Sequence, residues 1–133
     1  MEIEKVSFPN REAYSENYFK KLYQKYSEGF IVAENEGKII GYTIGRPKNE
    51  SAEIISLAIH PNWRQKGVGR NLTNFLINHL KESGFKEIFL HVRTRNQVAI
   101  SFYKESGFNV LKKIKNYYQN GDDAYLMKKK LDG

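Results

Sequence analysis

The stretch that most constrains this chain is residues 57–70, with the sequence L-A-I-H-P-N-W-R-Q-K-G-V-G-R. It starts with the end of an apolar strand and continues through a turn that contains Pro61. Gly67 and Gly69 follow, and they open a run whose apolar side chains recur at intervals of three and four. The glycines therefore stand at the start of a helix that comes directly after a strand.

Glycines at the start of a helix suit that end to bind an anion. They lack the Cβ atoms that would cover the amide groups of the first turn, so a ligand can approach the backbone closely. The first amide groups have no partner within the helix, and the helix dipole makes this end partly positive. Residues 64–70 therefore predict a cradle for phosphate groups.

Two other phosphate-binding motifs do not fit this stretch. A Walker loop requires G-x-x-x-x-G-K-[ST], but Gly67 is followed by V-G-R. A dinucleotide fingerprint requires a third glycine three residues after Gly69, where Leu72 stands. What remains is R-x-x-G-x-G, beginning at Arg64, a short pattern that a plain turn into a helix also produces.

Composition narrows the class of protein. The chain has 133 residues, of which 40% are hydrophobic and 14% aromatic, as in a folded globular protein, and we expect one domain over residues 1–133. Cysteine is absent, which excludes thiol nucleophiles, disulfides and thiolate metal sites. The three histidines do not have metal-ligand spacing, so we expect no bound metal.

The first residues and the net charge bear on location and partners. Charged residues follow Met1 almost at once, and no apolar run reaches the ~18 residues that a membrane helix needs, so we expect a cytoplasmic protein without a membrane partner. Lys and Arg number 22 against 15 Asp and Glu, which gives a net charge of +7. That charge attracts polyanions, whether coenzyme A or the surface of a ribosome.

Periodicity along the chain predicts a mixed α/β fold. Strands are expected over residues 2–7, 30–33, 38–45, 52–60, 86–93, 108–114 and 124–130, with a polar loop over residues 46–51. Helices are expected over residues 11–26, as one helix or two, and over 67–83 and 96–107, each of the last two ended by a glycine. This order places helices on the faces of a mixed central sheet.

Motifs beyond the glycine loop carry a specific family resemblance. They are E-N-Y at residues 16–18, G-K-I-I-G-Y at 37–42, S-L-A-I at 56–59, L-H-V-R at 90–93, N-x-x-A-I-x-F-Y-x-x-x-G-F at 96–108 and N-Y-Y-x-x-G-D-D-A-Y-L-M at 116–127. With them the chain resembles, over residues 16–131, the catalytic subunits of protein N-terminal acetyltransferases of the NatA and NatE types. It is also similar to the bacterial ribosomal-protein alanine acetyltransferases. Many families of the GNAT superfamily share the glycine loop, but few share the last motif.

The resemblance implies a fold and a function. The fold would be the GNAT fold, an α/β architecture whose central mixed sheet of six to seven strands is flanked by about four helices. The function would be transfer of an acetyl group from acetyl-CoA to the N-terminal α-amine of proteins or peptides, by direct attack in a ternary complex. Acetyl-CoA would be the cosubstrate, protein N-termini the partners, and the net charge is compatible with association with the ribosome.

By the same resemblance, two backbone segments and one side chain bind acetyl-CoA. Residues 57–59 would bind the pantetheine and the acetyl carbonyl, residues 65–70 the pyrophosphate, and Asn96 the cofactor arm. The residues implied are Leu57, Ala58, Ile59, Gln65, Lys66, Gly67, Val68, Gly69, Arg70 and Asn96. A bulged or splayed strand would leave amide groups free for the amide-like pantetheine.

Three side chains match catalytic positions of these families. Tyr103 matches the tyrosine that protonates the departing thiolate, and a phenol with a pKa near 10 suits that transfer. His91 stands where the NatA and NatE types carry histidine and the bacterial enzymes carry glutamate, and it can take a proton from the amine directly or through water. Glu16 matches a NatA-type glutamate that contacts the amine. Either Glu16 or His91 could be the principal base.

Two adjacent tyrosines near the end of the chain match a substrate-binding feature of the same families. Tyr117 and Tyr118 resemble the paired tyrosines that clamp the peptide backbone in these families.

Two alternative functions stay open. One alternative is a GNAT enzyme that acetylates a lysine or a small-molecule amine. The other is a non-catalytic basic module that binds RNA or a ribosome, although no RNA-reading motif is present. The preferred substrate residues, the oligomeric state and the need for an auxiliary subunit stay open.

Overall fold

A computed structural model of the protein describes the backbone of residues 4–7 and both backbone and side chains of residues 30–131. Within these residues lie seven strands: β1 (Glu4–Ser7), β2 (Phe30–Asn35), β3 (Lys38–Lys48), β4 (Ser51–Ile59), β5 (Glu87–Arg93), β6 (Asn109–Ile114) and β7 (Ala124–Lys130). They also contain a short 3-10 helix, Pro61–Trp63, and two α-helices, α1 (Val68–Glu82) and α2 (Gln97–Glu105). The helix expected over residues 11–26 lies outside the described residues.

The strands form one mixed sheet in the order β1-β2-β3-β4-β5-β7-β6. β1 pairs with β2 and β4 with β5 in parallel, and the other neighbours are antiparallel. The predicted mixed α/β fold and its strand number are confirmed. The described residues contain two α-helices, fewer than the four or so expected for the whole chain.

The two central parallel strands are joined over only a short distance. Ala52 pairs with Ile88 and Glu53 with Phe89, which is the full extent of the ladder between them. β4 then continues to Ile59 beside β3, while β5 continues beside β7. The two strands therefore separate toward their carboxyl ends, and the β5-facing edge of residues 54–59 has no strand partner within the described part of the chain.

A bulge in β4 lies where the two strands separate. In the ladder with β3, Ile44 pairs with Ser56 but Gly45 pairs with Ile54, so Ile55 is an extra residue. An extra residue bends the strand and reverses the faces on which later side chains lie. The main core accordingly includes side chains from both sides of the bulge: Ala52, Ile54, Leu57 and Ile59.

The main core lies between the sheet and its two helices. α1 directs Val68, Leu72, Leu76 and Leu80 at it, one every four residues, because this spacing places them on one face of a helix. β5 contributes a set that alternates along the strand: Ile88, Leu90 and Val92. Each fully buried aliphatic side chain contributes roughly 1.5–3 kcal/mol of transfer free energy. A second buried cluster, formed by Phe30, Val32, Tyr42 and Ile44, lies on the opposite face of the sheet.

The β3–β4 hairpin differs from the sequence-based expectation. The polar loop predicted over residues 46–51 is wrong, because β3 runs to Lys48 and β4 begins at Ser51. The turn consists of two residues, and the first of them, Asn49, has a φ of 60°. Pro47 is tolerated in the strand because the ladder with β2 stops opposite Ile44, so no donor is needed on that side.

The β2–β3 hairpin also has a shorter turn than the sequence suggests. β2 extends past residue 33 to Asn35, which pairs with Lys38. Glu36 and Gly37 form the turn with φ values of 51° and 82°, the two positive angles of a tight hairpin whose twist matches its strands. Neither of the two helices in the described part of the chain is long and apolar enough to cross a membrane.

Candidate active site

The glycine loop starts α1 as the sequence predicts. Gly67 is the N-cap residue with a φ of 83°, which a residue with a side chain rarely adopts, and a Cβ there would meet no atom within 4 Å. The first helical bond runs from the Asn71 amide to the Gly67 carbonyl, at 3.0 Å. Among the residues that the structure describes, no side chain caps this end, which leaves the amides of the first turn available to a ligand.

Three elements meet at the second glycine. A Cβ built on Gly69 would lie 3.5 Å from the ring of Phe102 on α2 and 3.8 Å from Cδ1 of Ile59 at the end of β4. The start of α1 thus lies beside the end of the separated strand and against the second helix. A ligand bound by the amides of this turn would also reach the unpaired edge of β4.

The turn between β4 and α1 is held by several hydrogen bonds. The amide of His60 donates to the carbonyl of Ile40 at 2.8 Å, and His60 Nδ1 accepts from the amide of Asn62 at 3.2 Å. Arg64 Nε donates to the carbonyl of Ile59 at 3.3 Å, and Trp63 is buried in the core. These contacts fix the path of the chain into the glycine loop.

Tyr103 lies on the buried side of α2. It is 8% exposed, and its ring makes edge contacts with Phe102 and Phe108, with centroids 5.2 and 5.6 Å apart. Burial raises the pKa of Tyr103 to about 12. The phenol therefore keeps its proton at neutral pH and can act as a proton donor. At the start of the same helix, Asn96 Oδ1 accepts from the amide of Ala99 at 3.1 Å, the helix cap that the sequence predicts.

His91 lies on the other face of β5, two residues beyond the last pair with β4. Its ring stacks on Tyr117 with a centroid distance of 4.3 Å and an angle of 10°. Burial lowers the pKa of His91, the carboxylate of Glu53 opposes that shift, and the charge of Lys48 adds to it. The imidazole is therefore neutral at neutral pH and able to accept a proton.

Glu53 is a buried carboxylate beside His91 that the sequence-based search missed. It is 6% exposed, and its Oε1 accepts from Arg46 Nε at 3.1 Å and from Arg46 Nη2 at 2.9 Å. Its Oε2 lies 3.4 Å from His91 Nδ1, longer than an ordinary hydrogen bond. A single acidic residue within the apolar strand sequence S-A-E-I-I-S-L-A-I was the signal that could have revealed it.

The loop between β6 and β7 presents the two predicted tyrosines beside His91. Tyr117 contacts Tyr118 edge-on at 5.0 Å, and Arg93 lies 3.9 Å over the Tyr118 ring. Asp122 pairs with Arg93 Nε at 3.0 Å and with an exposed arginine, Arg95, at 2.7 Å. A hydrogen bond from the neighbouring asparagine side chain and these guanidinium groups keep the pKa of Asp122 below its ordinary value.

The residues predicted for the site fall into two groups on the two faces of the sheet. Leu57, Ile59 and Tyr103 belong to the core on the helical face, and on that face Gly67 and Asn96 begin the two helices, whereas Ala58 packs against the second cluster. His91, Tyr117 and Tyr118 lie together on the other face. The gap between β4 and β5 lies between the groups. Glu16 lies outside the described residues.

The chemistry of the cradle fits a ligand with phosphates and amide groups. Helix-start amides bind phosphates, and the unpaired edge of β4 offers the donors and acceptors that an amide chain needs. Among residues 30–131, no group of three or more His, Asp or Glu side chains could hold a metal ion. The fold and the site thus define an α/β protein with a split sheet and a helix start that fits a phosphate-bearing ligand.

Comparisons with known proteins agree with this class. The profile of the Acetyltransferase (GNAT) family matches residues 1–108. An N-alpha-acetyltransferase of Sulfolobus acidocaldarius is 33% identical over 143 residues, which covers 95% of this chain and 85% of that protein. The [Ribosomal protein bS18]-alanine N-acetyltransferase of Escherichia coli is 33% identical over 101 residues, 74% of this chain and 68% of that protein.

A solved structure supports the same assignment. Naa50 of Arabidopsis thaliana, in complex with the bisubstrate analogue CoA-Ac-MVNAL, superposes with a TM-score of 0.72 at 26% identity, covering 89% of this chain and 95% of that one. The chain therefore belongs to the GNAT acetyltransferase family. It is an acyltransferase that takes its acetyl group from acetyl-CoA.

Proposed function

We propose that this protein transfers the acetyl group of acetyl-CoA to the N-terminal α-amine of proteins or peptides. The observation that carries the proposal is the neutral, partly buried His91 stacked on Tyr117, at the end of the sheet where β4 and β5 separate. A proton acceptor and a pair of aromatic rings there suit a peptide whose amine enters from the face opposite the helices. Relatives named N-alpha-acetyltransferase support the same substrate class.

The energy needed to deprotonate the amine favours an N-terminus over a lysine. At pH ~7.4, an α-amine with a pKa near 7.8 costs about 0.5 kcal/mol to deprotonate, whereas a lysine with a pKa near 10.4 costs about 4 kcal/mol. A neutral histidine with a lowered pKa is a modest base. Such a base is sufficient to deprotonate an N-terminal α-amine and is poorly matched to a lysine side chain.

In this proposal the helical face of the sheet holds acetyl-CoA. The first-turn amides of residues 67–70 bind the pyrophosphate, with Gln65 and Lys66 beside them, and the unpaired edge of residues 57–59 binds the pantetheine. Bound there, acetyl-CoA supplies a thioester carbonyl that an amine can attack. A backbone amide of the same strand edge stabilises the negative charge that develops on the carbonyl oxygen.

Two side chains move protons in opposite directions. The ammonium group must lose two protons to become an amide, and His91 accepts the first of them at its ring nitrogen. Tyr103 gives its phenolic proton to the departing sulfur, so the sulfur leaves as a thiol. The second amine proton restores the phenol through solvent. The absence of cysteine agrees with direct transfer without an acyl-enzyme intermediate.

The peptide itself is bound by the loop that contains Tyr117 and Tyr118. Their rings offer contact area with few rotatable bonds, so little conformational entropy is lost when they cover a peptide. Glu16 is a second candidate for contact with the amine, as in the NatA-type enzymes. We place the reaction in the cytoplasm, with the whole chain acting as one domain.

Nascent chains on the ribosome are a natural source of free N-termini for such an enzyme. The net charge of +7 would draw the protein to a surface rich in phosphate. The similarity to an enzyme named for ribosomal protein bS18 supports this partner. Co-sedimentation with ribosomes that is lost as salt is raised would support the association, and its absence at low salt would contradict it.

The proposed function is tested with acetyl-CoA and a panel of peptides that differ in their first two residues. The panel includes one peptide with a blocked N-terminus and a free lysine, and one small-molecule amine. We expect transfer to free N-termini only. Transfer restricted to the lysine or the small amine would show one of the other acetyltransferase activities, and RNA binding without any turnover would show a non-catalytic module.

A further inference from the structure

We propose that Glu53 is a positioning residue for His91, holding the Nδ1–H group of the imidazole so that Nε2 presents its lone pair to the substrate amine. This inference rests on the proposed function, since it assigns a role to Glu53 through the base of that reaction. Neither the family resemblance nor the motif pattern points to Glu53. Its place in the structure does.

The first observation is the way in which the Glu53 carboxylate is partnered. A carboxylate that is 6% exposed needs hydrogen bonds on both oxygens, because burial deprives it of water. Oε1 receives two hydrogen bonds from the guanidinium of Arg46. Oε2 is directed at Nδ1 of His91, 3.4 Å away. The carboxylate thus joins a cation on one side to the imidazole on the other.

The second observation is the state of the imidazole. Nδ1 of His91 is buried and has no hydrogen-bond partner among the described residues, whereas 15% of the side-chain surface is accessible. That surface therefore belongs to other atoms of the ring. A movement of a few tenths of an ångström would bring Nδ1 within bonding distance of Oε2 and give the buried Nδ1 a hydrogen-bond partner.

The chemical consequence follows from which nitrogen carries the proton. If Nδ1–H donates to Glu53, the neutral ring has its lone pair on Nε2 and is ready to accept a proton there. When Nε2 takes the amine proton, the ring becomes a cation with the carboxylate at its side, which favours the transfer. Nδ1 keeps its own proton throughout, so no proton passes to Glu53.

Several other groups face His91 within the described part of the chain. Lys48 and Arg46 approach from β3, and the Lys48 ammonium lies 5.7 Å from the Phe89 ring centroid. From the β6–β7 loop comes the ring of Tyr117, and β7 places Leu126 opposite His91. Along β5 itself, the charged residues of the same face are Glu87 and Arg93. Glu87 binds Lys128 and Ser51, whereas the Glu53 carboxylate lies 3.4 Å from the imidazole.

The test compares Glu53→Gln with Glu87→Gln. Glu87 is a matched control because it lies on the same face of the sheet, binds Lys128 at 2.8 Å and Ser51 at 3.1 Å, and is four residues from His91 along β5. Each variant loses one carboxylate and one ion pair of that face. Only Glu53→Gln removes the carboxylate beside the imidazole.

The first readout is nitrogen-15 NMR of the His91 ring in the free protein, which needs no turnover. We expect the Nδ1–H tautomer in the wild type and in Glu87→Gln. In Glu53→Gln the proton affinity of His91 should fall about tenfold, which lowers its pKa by about one pH unit, because burial is no longer opposed by the carboxylate. An Nε2–H tautomer in the wild type would overturn the inference even if Glu53→Gln failed to fold.

The second readout is the pH profile of acetyl transfer. In Glu53→Gln we expect kcat to fall about tenfold, its acidic limb to move to lower pH, and KM for acetyl-CoA to stay unchanged. Glu87→Gln should match the wild type in all three. An unchanged pKa and an unchanged limb in folded Glu53→Gln, or equal shifts in both variants, would overturn the inference. If the wild type acetylates no N-terminus, the proposed function fails, while the NMR measurement still decides whether Glu53 holds His91.

Discussion

Tyr103 shows how one residue can serve the core and the chemistry together. Its ring packs between Phe102 and Phe108, and the same burial raises its pKa to about 12. A phenol in that environment is protonated at every pH where the protein is folded in a cell. That state suits its proposed role as a donor to a leaving sulfur, and removing one oxygen separates its packing from that role.

Tyr103→Phe makes that separation. The ring contacts remain, so we expect the free energy of unfolding to change by less than about 1 kcal/mol. We expect kcat to fall by about 100-fold, the lower range for a general acid, with binding of acetyl-CoA retained. Steady-state kinetics and thermal unfolding measure the two quantities. Tyr125→Phe, which alters a tyrosine packed on the same core, should leave kcat unchanged, and equal losses in both variants would argue against the acid role.

His91 predicts the pH dependence of activity and of stability. Its pKa is lowered from about 6.5 by burial, so the neutral form prevails above that pH, and kcat should be lost only as pH falls below it. The unfolded chain binds this proton more readily than the folded one. The free energy of unfolding therefore also decreases as the pH is lowered through that window. His91→Gln should flatten both profiles and lower kcat, as measured by kinetics and denaturant titration from pH 5 to 8. Unchanged profiles would contradict the assignment.

The residues of the site differ in how readily the sequence reveals them. Tyr103 and His91 lie within motifs, and their elements follow from periodicity alone. The sequence does not reveal the role of Glu53 in this way. Its contact with His91 depends on the strand register, which pairs Glu53 with Phe89, 36 residues further along the sequence. Long-range register of this kind is set by packing of the whole sheet, which a local pattern does not encode.

At the scale of elements, a substitution at the start of α1 should affect acetyl-CoA binding and protein stability in opposite directions. Gly69 has helical backbone geometry, and an added Cβ would make ordinary contacts of 3.5 Å with the Phe102 ring. Gly69→Ala should therefore raise the free energy of unfolding by about 0.5 kcal/mol, as alanine is the better helix former. It should also raise KM for acetyl-CoA about tenfold, because the methyl group covers first-turn amides.

Gly84→Ala is the opposite control at the other end of the same helix. Gly84 has a φ of 94°, so a side chain there is strained although it meets no neighbouring atom. We expect a loss of about 1 kcal/mol in unfolding free energy with no change in KM for acetyl-CoA. Chemical denaturation and initial-rate kinetics on the two variants give the comparison. A Gly69→Ala enzyme with a normal KM would contradict the phosphate cradle.

The β6–β7 loop is an element held in place by charge. Asp122 pairs with Arg93 and Arg95, and its carbonyl accepts from the amide of Tyr118 at 3.1 Å. In Asp122→Asn the pairs weaken and the loop loosens, so KM for the peptide should rise roughly fivefold while KM for acetyl-CoA stays the same. Glu105→Gln, at the end of α2, is the control. An equal rise of both KM values in Asp122→Asn would argue against a peptide-binding role of the loop.

The elements also show the limits of local pattern. Caps and periodicity locate both helices, since Gly67, Asn96 and the closing glycines act through neighbouring residues. The length of the β3–β4 hairpin was predicted wrongly. The residues Arg46, Pro47 and Lys48 are typical of a loop, and the sequence does not show that β3 continues past the end of its ladder with β2. The separation of β4 from β5 is likewise a property of pairing and does not appear in either strand alone.

At the scale of the whole molecule, the split sheet organises the proposed reaction. The two parallel strands at its centre diverge, and each leads through a short turn into a helix on the same face. The cradle and Tyr103 belong to that face, while His91 and the tyrosine loop belong to the other. An acetyl donor and an amine can therefore approach one gap from opposite sides, which is the arrangement that direct transfer requires.

The central claim is that the acetyl group goes to an α-amine, and one peptide tests it most directly. The peptide carries both a free N-terminus and an internal lysine, and fragmentation mass spectrometry locates the acetyl group after reaction with acetyl-CoA. We expect acetylation of the N-terminus in the wild type and its loss, without transfer to the lysine, in Tyr103→Phe. Acetylation of the lysine with the free N-terminus left unmodified would contradict it.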